Sequence, residues 1–114
     1  MVAQRSCSVD YQSFVVGLNQ EWIELDLFNY GVARFSPEEF AEAGLGPDDI
    51  SLIQFMANQE IGHAALLTNI INNGGRPAPK QCQYKYDFDT VRDFVNFCQR
   101  LTRWYVIPPP DLPC

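Results

Sequence analysis

The stretch Ile50–Asn73, ISLIQFMANQEIGHAALLTNIINN, constrains this chain more than any other. Its apolar positions Ile53, Ala57, Ala64, Leu67 and Ile71 recur in steps of three and four, and Glu60 fills the one remaining place in the row. That spacing lines one stripe of a long α-helix. His63, the only histidine in the protein, follows Glu60 at i+3 on the neighbouring row Met56, His63, Leu67, Ile70. A carboxylate and an imidazole are therefore expected to point inward. An ionised carboxylate in an apolar interior costs several kcal/mol unless it is paired or bound to a metal, so Glu60 demands a partner.

A second helix with the same peculiarity precedes it. From about Val9 to Ala33 the row Phe14, Leu18, Glu21, Leu25, Phe28, Val32 again steps by four and three, again with one carboxylate in an apolar stripe. Glu24, at i+3 from Glu21, flanks the same face, and Asp26 points more to the side; both read as solvated flanks, with Glu24 also a candidate ligand. If the two helices form an antiparallel hairpin, Glu21 lies roughly 20 Å from its end of the turn and Glu60 roughly 18 Å from the other. The two carboxylates should then face each other at one height, with His63 a turn away. One helix giving a Glu and its neighbour giving Glu-x-x-His has the form of half a two-metal carboxylate site. The alternative is a Glu60–His63 pair without a cation, or pairing with Arg34 or Arg76 near the ends of the bundle.

The remaining elements are short or capped. Ser36 and Glu39 form a capping box with Pro37 at the first helical position, and Gly44 is placed to end that short connecting helix. Asp48 and Asp49 suit the positive end of the long helix, which Asn72-Asn73-Gly74-Gly75 stops. RPAPKQCQYKYDF reads as an extended loop, with Tyr84, Tyr86 and Phe88 packing across the bundle end. Asp89 or Thr90 then caps a third main helix with the stripe Val91, Phe94, Cys98, Leu101, Tyr105. Running antiparallel to the long helix, it is expected to bring Gln99, Arg100, Thr102, Arg103 and Tyr105 to the height of Glu60, and none of these is a carboxylate. Residues 1–107 read as one partial helical domain and residues 108–114, with their prolines, as an irregular tail.

Composition narrows the function. The chain has 114 residues and a net charge of −6, which argues against a nucleic-acid partner. Ten acidic and two basic residues precede or include Glu60, against four and six after it, so the second half can lie against the first with favourable electrostatics. No apolar run is long enough to span a membrane. No signal-peptide pattern opens the chain. Cys7, Cys82, Cys98 and Cys114 are not in CxxC spacing, which disfavours a zinc ribbon or a redox motif; Cys98 reads as a small core residue. Neither a phosphate-binding glycine loop nor a nucleophile context is present.

The stretches LNQEWIELDLFNYGVARFS, NQEIGHAALLTNIINNGG and CQYKYDFDTVRDFVNFCQRLTRW resemble the ferritin-like domain of fungal stress-response and plant desiccation-related proteins, over about Phe14 to Trp104. The resemblance implies an all-α bundle of ferritin type, with iron or manganese as the metal and Glu21, Glu60 and His63 at the matching ligand positions. Relatives of this kind are often secreted, so the compartment stays open. Here Trp104 is followed by Tyr105, Val106, Ile107 and three prolines, where the family pattern continues its helix and later adds a fourth. The expectation is a truncated member: three main helices plus a short connecting helix, without the fourth. A site of Glu21, Glu60, His63 and Glu24 would then be incomplete, and a symmetric homodimer through the face left open would complete it. Two functions follow. One is a stress-associated metal-binding protein, whose carboxylate-bridged iron would react with oxygen or peroxide. The other is a metal-free helical interaction or remnant protein with a buried Glu–His pair. Catalysis is not expected of the shortened chain.

Overall fold

A computed structural model of the protein describes residues 8–106. Among the described residues the chain is four helices and their connections: α1 (Ser8–Arg34), α2 (Pro37–Glu42), α3 (Pro47–Asn73) and α4 (Val91–Val106). Among these residues the fold is all-α, with three main helices and a short connecting one, as the sequence implies. The tail at 108–114 lies outside the described residues, as do Cys7, Cys114 and the side chain of Tyr105.

The local signals act where they were read. The Ser36 hydroxyl accepts from the Glu39 N–H at 3.1 Å, and the Ser36 N–H donates to the Glu39 carboxylate at 2.8 Å. Pro37 opens α2, and Gly44 follows it at φ +89°, a conformation that favours glycine. The Gly46 N–H donates to Asp49 at 2.8 Å at the start of α3. The Thr90 hydroxyl accepts from the Asp93 N–H at 3.1 Å and caps α4.

α1 is the axis on which the others assemble, because two of its faces are buried. One carries Leu18, Glu21 and Phe28, and packs along α3, whose buried residues are Ala57, Glu60, Ala64 and Ile71. The other carries Gln20, Leu27 and Gly31 and meets α4. The sequence reading found only the first row. Steps of three and four also connect Gly17, Gln20, Glu24, Leu27 and Gly31, and this second stripe was the available signal. Phe14, placed in the apolar row, is 38% exposed.

The crossover after α3 corrects the expected direction of the third main helix. The chain from Gly74 to Thr90 returns along the flank of α1. Tyr11 donates to the Pro77 carbonyl, Trp22 Nε1 to the Pro79 carbonyl, and the Tyr86 hydroxyl to Asp26 at 2.8 Å. These contacts climb α1 from its N-terminal to its C-terminal half. α4 therefore starts beside Phe35 and descends, antiparallel to α1 and parallel to α3. The extended run is long enough to span the bundle, at up to about 3.3 Å per residue, so a tight reversal is unnecessary. The aromatic residues accordingly pack along the side of the bundle and not across its end. Tyr86 and Phe88 stack at 5.4 Å between ring centroids, and Phe97 of α4 closes on both.

Asp26 is also corrected from solvated flank to hydrogen-bond acceptor. Burial and the Asp26 carboxylate together push the Tyr86 phenol well above its usual range, which keeps it protonated and donating. Cys98 is half-buried and free, and burial pushes its thiol up to about 12, consistent with a packing role. Cys82 is free and exposed.

α4 packs tightly against α1 at Gly31. A Cβ there would lie 2.2 Å from the Phe94 ring, and that ring is only 1% exposed, so it has nowhere to swing. Gly31→Ala should destabilise the fold by roughly 1–3 kcal/mol through overpacking, although alanine favours helix in isolation. Urea unfolding would register this as a lower midpoint with an unchanged slope.

Candidate metal centre

Glu21 comes from the middle of α1 and Glu60 from the middle of α3, and the antiparallel pairing sets them at one height. One ligand atom from each of Glu21, Glu60 and His63 lies within 4.8 Å of the others. His63 Nδ1 is 2.9 Å from Glu60 Oε2 and 3.4 Å from Glu21 Oε2. The carboxylates are buried, at 9% exposure for Glu21 and 8% for Glu60. The imidazole is not: 55% of the His63 side chain faces solvent. The expected inward imidazole is thus a lid at the edge of the site. The neighbouring row explains this, since Ile70 is likewise exposed, whereas the buried residues of α3 belong to the row through Glu60.

Glu24 is close but separate. It accepts from Gln20 Nε2 at 3.0 Å, and the same amide group also donates to the Leu101 carbonyl at 3.3 Å. Glu24 is half-buried between α1 and α4, not a solvated flank, and the structure does not bring it into the Glu21–Glu60–His63 cluster. Gln20, only 5% exposed, was missed by sequence reasoning, and it ties α4 to α1 beside the site. Because Leu101 is opposite Gln20, the window read from sequence as level with the carboxylates is the right one. Among the described residues, α4 adds no carboxylate to the cluster. Arg34 and Arg76 do not answer the carboxylates either. Their guanidinium groups stack over Phe35 and Tyr11 at 5.0 and 4.6 Å.

The electrostatics follow from burial and crowding. Glu21 is pushed up to about 7, first by burial and then by its hydrogen bond with and charge repulsion from Glu60, with His63 partly opposing. Glu24 is raised by burial, offset in part by the Gln20 hydrogen bond. His63 is raised because Glu60 accepts its hydrogen bond and both carboxylates favour the imidazolium. Glu21 and His63 are thus both biased toward their protonated forms. Such a donor set suits a divalent cation, which would replace the proton as the neutralising charge.

A family model of the ferritin-like domain matches residues 9–106. The chain belongs to the ferritin-like domain family. It is also 54% identical over 95 residues to Protein rds1 of Schizosaccharomyces pombe, a match covering 83% of this chain and 23% of that protein. The chain thus spans about a quarter of that relative's length. No solved structure matches the chain. No helix among the described residues is long and apolar enough to cross a membrane.

A pH dependence follows. Glu21 holds its proton more tightly in the fold than in the unfolded chain, so its contribution to stability is lost as pH rises from about 4.5 to about 7. His63, also raised, loses its contribution in the same direction as pH rises through its folded value. The metal-free protein should therefore lose up to about 3 kcal/mol of stability across that Glu21 window. Glu21→Gln should flatten the profile in chelator-containing buffer, as read by denaturant midpoints at successive pH values.

Proposed function

We propose that the Glu21–Glu60–His63 cluster binds one divalent cation, iron or manganese, in a stress-associated ferritin-like protein. The observation that carries this reading is the convergence of two buried carboxylates and an imidazole nitrogen within 4.8 Å. The stress association rests on the sequence resemblance. Glu21 and Glu60 would hold the cation from α1 and α3, and His63 would cap it from the solvent edge. Gln20 holds Glu24 toward α4, so that carboxylate stands beside the cation as a charge and joins it only by leaving its amide partner. Iron or manganese, when bound, supplies one-electron chemistry with oxygen or peroxide. The chain's own residues provide a three-donor site open on one side. A second copy of the chain, docked through the face left open, would complete it. A nucleic-acid partner is disfavoured by the net charge of −6.

The 2.9 Å contact between His63 Nδ1 and Glu60 favours a second reading, a metal-free protein in which an imidazolium neutralises the carboxylate pair. Metal analysis separates the two. After reconstitution and desalting, the protein should retain on the order of one equivalent of iron or manganese, and bound cation should raise its melting temperature by mass action. Glu60→Ala/His63→Ala should abolish both effects. Retention below about a tenth of an equivalent, far short of site saturation, would leave the metal-free pair.

A further inference from the structure

At 5% exposure Gln20 is more deeply buried than either carboxylate of the cluster, yet it supplies no ligand atom to it. Its amide nitrogen carries two N–H groups, and both are engaged. One donates to Glu24 Oε1 at 3.0 Å, the other to the Leu101 carbonyl of α4 at 3.3 Å. Both partners accept, so together they fix which end of the amide is the nitrogen. Turning the amide away would leave buried polar groups without partners, a larger loss than an ordinary hydrogen bond is a gain.

Glu24 stands between two claims. It is four residues from Gln20 and three from Glu21, so both are its neighbours on the surface of α1. Burial raises Glu24, the Gln20 bond opposes that, and Glu21 and His63 then act on it in opposite senses. The carboxylate thus senses the cluster without joining it. Three residues converge there, whereas a divalent cation with nitrogen and oxygen ligands takes about four or more. A free carboxylate one turn from Glu21 would be drawn in. The Gln20 bond holds it back, and the Leu101 carbonyl holds Gln20.

We propose that Gln20 is a positioning residue that withholds Glu24 from the cation, so that the docking of α4 keeps the site at three protein donors instead of four. This rests on the metal reading above and adds what limits that site. Without the amide, Glu24 swings to the cation beside Glu21 and adds a negative charge to the ligand set, and affinity rises with that charge.

The test is Mn2+ binding by the full chain. Gln20→Met keeps an unbranched side chain and removes the donor. It should bind Mn2+ on the order of tenfold tighter than the parent. Glu24→Gln, with Gln20 in place, should change the affinity far less, and Gln20→Met/Glu24→Gln should show no gain over Glu24→Gln. A purely structural role for Gln20 would not produce a gain that vanishes with Glu24. Circular dichroism checks that each variant keeps the parent's helicity, and Gln20→Leu takes the place of Gln20→Met should that variant fail to fold. No gain in Gln20→Met, or a gain that survives in the double variant, would overturn the proposal. A parent that retains no Mn2+ would overturn the metal reading and the role of Gln20 with it, an outcome read from the parent alone and so distinct from a failure in the variants.

Discussion

Two like charges held at one depth between two helices set the terms for this protein. Glu21 and Glu60 are both buried, and each occupies a place in its helix where every neighbour on the stripe is apolar. Leaving both ionised without compensation would cost several kcal/mol. The fold meets that cost with a proton on Glu21, an imidazole at the rim and, on our reading, a cation. Everything else near the site keeps those two helices in register.

Register is held from both sides of α1. On one side the small residues Ala57 and Ala64 of α3 flank Glu60 and let the helices approach closely. On the other, Gly31 admits the Phe94 ring, and Gln20 bonds to the Leu101 carbonyl. The crossover adds a third tie. Its tyrosines and prolines bond to Tyr11, Trp22 and Asp26 along the length of α1, so the helix that bears Glu21 is clamped by α3, by α4 and by an extended strap. The α3 side facing away from these ties carries the exposed edge of the site.

Much of this was legible in residues alone. The two stripes with one carboxylate each, the capping box at Ser36 and Glu39, the glycine at the end of α2 and the equal heights of Glu21 and Glu60 all depend on local periodicity and helix rise. Three readings failed for a common reason. The outward His63, the direction of α4 and the hydrogen-bonded roles of Glu24 and Asp26 depend on which face each neighbour takes. The spacing of Met56, His63 and Ile70 says that they share a row. It does not say whether that row meets a helix.

The sequence by itself determined the helices, their caps, the membership of the chain in an all-α bundle and the pairing of one glutamate from each long helix, because hydrogen-bond geometry and the 3.6-residue repeat are local. Only the tertiary structure decided that the crossover runs the length of the bundle, that Gln20 bonds to Glu24 beside α4, and that the histidine closes the site from outside. Those outcomes turn on packing between elements far apart in the chain, where several arrangements bury similar apolar area and only steric fit, as at Gly31 and Phe94, selects among them.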